Sequence, residues 1–390
     1  MAPTGALARA HNVADMQRLA RRALPLPMRD YVDGGADDEW TMRRNTAAFD
    51  QWTLAQRALV DVTSLDPSTE LLGHRAALPL MLSPTGMSQL FHREGERAVA
   101  RAAASAGVPY SLSTMATTSM ADIAATGVRR CFQLYLFRDR GLTAALVEQA
   151  AATGFGALIL TVDTPVAGNR ERDLRSGMTM PPRFSLGSLA SFAAHPRWAA
   201  GALRNRGFRL ANVADHVGDL GADGTSVIDY VNRQFDRSAS WDDVAWLRAR
   251  WHGPLVVKGL LMPDDCAHAV AAGADAIMVS NHGGRQLDGA ATPIEQLPAI
   301  RDRIGTAAQL ICNGGIRRGS HVLKAIALGA DGCSIGRPYL YGLAAGGEAG
   351  VTRVLALLRA EVERGMALMG RTRIGDVTAD DVQALRGVRE

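Results

Sequence analysis

Lysine is nearly missing from this chain. Of its 43 basic residues two are lysines, Lys258 and Lys324, and the rest are arginines. A lysine inside an apolar stretch, as in Leu255-Val-Val-Lys-Gly259, therefore calls for a chemical reason rather than a surface one. Aromatic residues are scarce at 5%, and the net charge is only +4 with the basic residues scattered. Both features argue against nucleic acid as a partner, which would want a basic face interleaved with rings. The four cysteines, Cys131, Cys266, Cys312 and Cys333, form no CxxC pair and have no histidine at metal spacing. No metal centre or disulfide framework is expected, and three of them sit in apolar runs as small hydrophobes. No apolar run reaches 18 residues, and the first ten residues lack the apolar core of a signal peptide. The expectation is a cytoplasmic protein.

What is present is a rhythm. From Leu78 onward apolar runs of five to seven residues alternate with amphipathic stretches of ten to fifteen. The runs are Leu78–Ser83, Pro109–Ser113, Arg130–Leu136, Ala157–Asp163, Leu255–Gly259, Ala276–Asn281, Gln309–Gly314 and Gly332–Arg337. The stretches between, such as Gly95–Gly107, Leu142–Gly154 and Pro293–Gly305, end at glycine as helix C-caps do. Eight such units point to a (β/α)8 TIM barrel. A doubly wound sheet is the alternative, but it would want a GxGxxG after the first strand, and none is there. The reading is one domain over 1–390, with a helical preamble at 1–75, the barrel at 78–370 and an insertion after strand four at 165–240.

Polar residues gather at the same end of every run. They are Ser83-Pro-Thr-Gly86, Ser113, Gln133 and Tyr135, Thr161 and Asp163, Lys258, Ser280 to Arg285, Asn313 to Arg317, and Gly336-Arg337. In a barrel those ends converge on one mouth, where the active sites of this fold lie. The sixth run is the most telling. It breaks into Ser280-Asn-His-Gly-Gly-Arg285, which presents a histidine that can take a proton, an arginine whose fork fits a carboxylate, and glycines that admit a flat ligand. A packed histidine and a surface arginine would explain that turn alone, but not the convergence of eight polar ends. Gly314-Gly315, Arg317, Gly336 and Arg337 open two further helices, a setting that binds phosphate. Tyr31, beside the Asp33-Gly-Gly-Ala-Asp-Asp38 turn, either covers the pocket or packs. The basic and apolar stretch 184–210 suits either an anionic membrane surface or a lid or subunit contact.

On Ser280-Asn-His-Gly-Gly-Arg-Gln286, Val257-Lys-Gly259 and Gln133-Leu-Tyr135, the chain resembles the FMN-dependent L-2-hydroxy acid oxidases and dehydrogenases, from about Asn12 to Met369. Arg170-Glu-Arg-Asp-Leu174, His195-Pro-Arg-Trp198 and Leu340-Tyr-Gly-Leu-Ala344 look most like the membrane-associated mandelate and lactate dehydrogenases of that family. The resemblance implies FMN as cofactor, with His282 as base and Asp163 as its charge partner. It assigns Arg285, Tyr31 and Arg170 to the substrate carboxylate and Tyr135 to the substrate hydroxyl. Lys258 would lie against the flavin. Pro84, Thr85, Gly86, Ser113, Gln133, Thr161 and Ser280 would hold the ring or ribityl chain. Asn313, Gly314, Gly315, Ile316, Arg317, Gly336 and Arg337 would take the ribityl tail and phosphate. It further implies a homotetramer, electrons passed to a quinone or O2, and peripheral attachment to the inner face of the cell membrane.

Two positions depart from the family's pattern: Asn313 stands where Asp is usual, and Gly86 where oxidases have Ala. Glycine at 86 favours a dehydrogenase. The rival chemistry for a lysine at a strand end is a Schiff base, as in a class I aldolase or a pyridoxal phosphate enzyme. It leaves the His282–Arg285 pair and Gln133-Leu-Tyr135 without a purpose.

Overall fold

The computed structural model describes residues 5–179, 182–204, 209–214 and 233–385. Each apolar run forms a parallel strand: β1 (Leu80–Leu82), β2 (Tyr110–Ser113), β3 (Arg130–Tyr135), β4 (Ala157–Thr161), β5 (Leu255–Leu260), β6 (Ala276–Ser280), β7 (Gln309–Asn313) and β8 (Gly332–Ile335). They pair in chain order and β8 closes on β1, giving the expected eight-stranded barrel. Covered by helices outside and filled inside, such strands are buried on both faces, which is why they read as unbroken apolar runs.

The barrel's interior explains where the polar residues fall. Met81, Cys131, Ile159, Val256, Met278 and Ile311 form the packed floor. Side chains alternate along a strand, so the next inward position on each is two residues further on. Those positions are Ser83, Gln133, Thr161, Lys258, Ser280 and Asn313. One period-two rule thus stacks an apolar layer beneath a polar one, and the polar layer floors the mouth. The other end is stopped by the hairpin of Thr69–Leu71 and His74–Ala76, whose turn residue Leu72 joins the interior cluster.

The preamble is helical as expected: α1 (Val13–Ala23), α2 (Leu26–Asp33) and α3 (Trp40–Ala47). Asn12 caps α1 by accepting from the Asp15 N–H. α1 lies along the last helix. The amphipathic spacing of Val351–Met369 marks only the second half of that helix. It runs from Arg337 to Leu368, directly off β8, and bends at Gly346 and Gly347, whose backbone angles are not helical. The tail, silent in sequence, adds Val382–Ala384 antiparallel to Trp52–Leu54.

The insertion contributes helices Glu171–Ser176, Leu186–Ala194 and Pro196–Arg204, while 205–208 of the basic stretch and 215–232 lie outside the described residues. Its aromatic residues point inward: Trp198 donates to the Leu90 carbonyl (2.8 Å) and stacks on Phe192 at 5.3 Å. Two of its leucines point outward, Leu186 and Leu203, each 85% exposed. Among the described residues no helix is long and apolar enough to cross a membrane.

Candidate active site

The turn after β6 is held in an unusual backbone state. His282, Gly283 and Gly284 all adopt positive φ (56°, 68° and 74°). For a histidine this is strained, and such strain persists where surrounding contacts hold it. Here the His282 N–H donates to Ser280 Oγ (3.0 Å), and the Gly284 N–H to Asn281 Oδ1 (3.1 Å). Asn281 and Asn45 of α3 exchange amide hydrogen bonds at 2.7 and 2.9 Å. A Cβ on Gly284 would stand 2.5 Å from the Met42 nitrogen, so glycine lets the preamble dock on the turn.

His282 Nδ1 lies 2.8 Å from Asp163 Oδ1, just beyond β4. Lys258 Nζ is 3.4 Å from the same nitrogen and 3.7 Å from Asp163 Oδ2. One nitrogen cannot donate to the carboxylate and accept from the ammonium. The nearer partner decides it: Nδ1 carries the proton, and Nε2 is left as the acceptor. Burial and the Lys258 charge lower the His282 pKa against the opposing pull of Asp163, so the ring is neutral at rest. Burial raises Asp163, but His282 and Lys258 outweigh it and hold the carboxyl below its usual range.

Arg285 faces the same space. Its Nη1 donates to the carbonyls of Tyr31 (2.7 Å) and Gly34 (3.0 Å), and its guanidinium sits 4.9 Å from the centre of the Tyr31 ring. Arg170 approaches that ring at 5.8 Å. Tyr31 is therefore a wall of the pocket, the reading its sequence neighbourhood left open. Tyr135 packs on Phe235 at 4.9 Å, and burial raises its phenol pKa, keeping the hydroxyl a donor.

The polar layer is hydrogen-bonded across the barrel. Ser280 Oγ donates to Asn313 Oδ1 (2.8 Å), Asn313 Nδ2 donates to Ser83 Oγ (2.7 Å), and Ser83 shares a proton with Ser334 (2.7 Å). The amide at 313 also donates to the Ser334 carbonyl (3.2 Å), where a carboxylate would be repelled. Ser113 Oγ donates to Gln133 Oε1 (2.8 Å). Gln133 Nε2 and Thr161 Oγ1 are buried with no partner among the described residues.

A cavity of about 290 Å³ unites the site. Of the residues to which the resemblance gives a role, all line it except Asp163, Gln133, Thr161 and Ser280. The Arg337 guanidinium donates to the carbonyls of Val32 (3.0 Å), Gly283 (2.8 Å) and Gly34 (2.8 Å), and burial lowers its pKa to about 10. It ties α2 to the His282 turn while lining the cavity. Residues given no role in the sequence also line the cavity: Phe91, Asp173, Met178 and Phe235. They come from loops and from the insertion, where no periodicity marks them.

This geometry has counterparts. L-lactate dehydrogenase of Caulobacter vibrioides is 44% identical over 362 residues, 92% of this chain and 94% of that protein. L-lactate oxidase of Nostoc sp. is 42% identical over 371 residues, 94% of this chain and 96% of its own. The crystal structure of the monotopic membrane protein (S)-mandelate dehydrogenase superposes with a TM-score of 0.93 at 38% identity, covering 97% of this chain and 100% of that one. The model of the FMN-dependent dehydrogenases matches residues 20–384. A closed barrel with a histidine–carboxylate pair and an arginine clamp at its mouth thus places this chain in the FMN-dependent dehydrogenase family, flavoenzymes that oxidise 2-hydroxy acids.

Proposed function

We propose that the protein oxidises a lactate- or mandelate-like L-2-hydroxy acid to the 2-oxo acid, with His282 as the base. The observation that carries this is His282, paired with Asp163, opening onto the same cavity as Arg285 and Tyr135. The substrate carboxylate docks on Arg285, whose Nη1 is occupied by two carbonyls while Nη2 has no partner among the described residues. Arg170 adds a second cation across the Tyr31 ring. The Tyr135 hydroxyl orients the substrate hydroxyl. His282 Nε2 takes the proton that leaves the substrate, and Asp163 stabilises the imidazolium that results.

The residues present fit FMN. Gln133 Nε2 and Thr161 Oγ1 are buried donors that lack partners, and a polar ring edge would satisfy them. Lys258, Ser113, Ser280 and the Pro84-Thr85-Gly86 backbone would hold the ring. Asn313, the 314–317 backbone and the Gly336–Arg337 backbone would hold ribityl and phosphate. When bound, FMN supplies the acceptor for the substrate's electron pair. Membership of the family displaces the Schiff-base reading of Lys258.

The further assignment is a dehydrogenase that hands electrons to a quinone-type acceptor while resting on the inner membrane face, as a homotetramer. Exposed Leu186, Leu189 and Leu203 support the membrane contact. Gly86 supports the dehydrogenase, because a Cβ there would stand 2.8 Å from Met115 Cβ and disturb the cavity wall. The test is anaerobic addition of L-lactate, L-mandelate and longer L-2-hydroxy acids to the holoprotein, followed by O2 or a soluble quinone. Bleaching of the flavin by one of them and faster recovery with quinone is the expected result. A spectrum unmoved by every acid overturns the reading.

A further inference from the structure

The carboxylate clamp contains an anion of its own. Asp173, in the insertion helix Glu171–Ser176, is 6% exposed and lines the cavity beside Tyr31, Arg170 and Arg285. Its Oδ2 lies 3.6 Å from Arg170 Nε, and its Oδ1 is buried with no hydrogen-bond partner among the described residues. The neighbouring charges of the segment are engaged away from the cavity: Arg172 pairs with Glu39 at 2.6 Å, and Arg175 with Glu171. Arg170 and Asp173 are the pair this segment turns inward. Burial holds the Asp173 carboxyl pKa above its ordinary value although Arg285 and Arg170 oppose the rise, so all three groups feel one another.

Charge balance then limits what the clamp accepts. At the other side of the cavity Lys258 and Asp163 offset each other around neutral His282. At the clamp Arg170 and Arg285 contribute two cations and Asp173 one anion, which leaves one positive charge; Arg317 and Arg337 also line the cavity, at the end assigned to the cofactor phosphate, whose charge would offset them. One substrate carboxylate brings the region to neutrality. A second would add an uncompensated anion in a poorly solvated space, beside a fixed carboxylate that has no other cation to turn to. We propose that Asp173 is a specificity-determining residue, an anionic counterweight to Arg170 and Arg285 that restricts the site to 2-hydroxy acids with a single carboxylate.

This rests on the hydroxy-acid reading above, and the test separates the two. In wild type, Asp173→Asn, Asp173→Ser and Asp173→Glu holoenzymes, kcat/KM is measured for L-lactate and L-malate. The Kd values of the unreactive acids propionate and succinate are measured by flavin absorbance. Asp173→Asn and Asp173→Ser should raise the malate-to-lactate ratio roughly tenfold or more and tighten succinate relative to propionate by a similar factor, from loss of one close charge. Asp173→Glu should stay near wild type. A ratio that moves by less than about threefold while both substrates weaken together makes Asp173 a support for Arg170 only, and the proposal falls. Ratios do not depend on the fraction of folded enzyme, and Ser stands in if Asn does not load flavin. If no hydroxy acid reduces the wild type, the functional reading fails, and the succinate and propionate titrations still decide the counterweight.

Discussion

Asp163 Oδ1 stands 2.8 Å from His282 Nδ1 although 119 residues separate the two in sequence. They lie beyond strands β4 and β6, which are joined through β5, and Gln286 strengthens the link. Its Nε2 donates to the carbonyls of Asp163 (2.9 Å) and Val166 (2.8 Å), so the His282 turn and the Asp163 loop move together. A histidine fixed this way offers one nitrogen to a ligand in a constant direction.

Replacing the base should stop chemistry without emptying the site. His282→Gln keeps the hydrogen bond to Asp163 within reach, so flavin retention should match wild type while anaerobic flavin reduction slows by roughly 10²–10⁴. Stopped-flow reduction by saturating substrate measures this. Near-normal reduction would remove His282 from the mechanism.

The pH profile follows from the direction of the shift. The His282 pKa is lowered by burial, so the neutral, proton-accepting ring persists below the ordinary pKa of about 6.5 and is lost as pH falls through the depressed value. kcat/KM should therefore be flat through neutrality and decline on the acid side below pH of about 6.5. In Asp163→Asn the carboxylate that opposes this lowering is gone, and the acid limb should move further down while the maximum rate drops. An acid limb that moves upward would contradict the pairing.

The fold was legible because the inward positions follow a strict period of two. Met81 to Ser83, Ile159 to Thr161 and Met278 to Ser280 each step from floor to site. The contribution of α2 was not. Tyr31 and Gly34 meet Arg285 and Arg337 through backbone carbonyls, and carbonyls carry no sequence signal. For the same reason the bracing of α2 by Arg337 could not be read in advance: the partners are main-chain oxygens of distant segments. Asp173 showed only as part of a charged run and Phe235 not at all, because the insertion has no barrel rhythm to place them.

Arg285 carries two tasks on one group. Nη1 braces the carbonyls at the end of α2, and the rest of the fork faces the cavity. Lysine cannot do both from a single nitrogen. Arg285→Lys should weaken substrate binding by about ten- to a hundredfold, the loss of one charged hydrogen bond in a buried site, with a smaller effect on the limiting rate. Unchanged substrate affinity would show that the carboxylate docks elsewhere.

The proposed membrane contact would use apolar side chains that stand exposed among the described residues. Leu186, Leu189 and Leu203 are 85%, 52% and 85% exposed, on neighbouring helices of the insertion. A triple change to glutamate should reduce co-sedimentation with phosphatidylglycerol vesicles by about a thousandfold or more, since each leucine taken out of water contributes about 1.5–3 kcal/mol. Lactate or mandelate bleaching in solution should be unaffected, because none of the three lines the cavity. Equal sedimentation of variant and wild type would assign the leucines to a subunit contact instead.

Thr161 separates cofactor binding from stability. Its Oγ1 is buried at the end of β4 without a partner among the described residues, in register with Tyr135 on one side and Lys258 on the other. Leaving a buried hydroxyl unsatisfied costs about 1–3 kcal/mol, and a bound ring edge that accepts from it would recover that cost. Thr161→Val keeps the shape and removes the hydroxyl. The two forms of the protein should then respond with opposite signs: the flavin-free protein should melt at the same temperature or higher, and FMN should bind about five- to tenfold more weakly. Differential scanning calorimetry of the apoprotein and fluorescence titration with FMN give the two numbers. If the apoprotein loses stability while FMN affinity holds, the hydroxyl serves the barrel and not the cofactor.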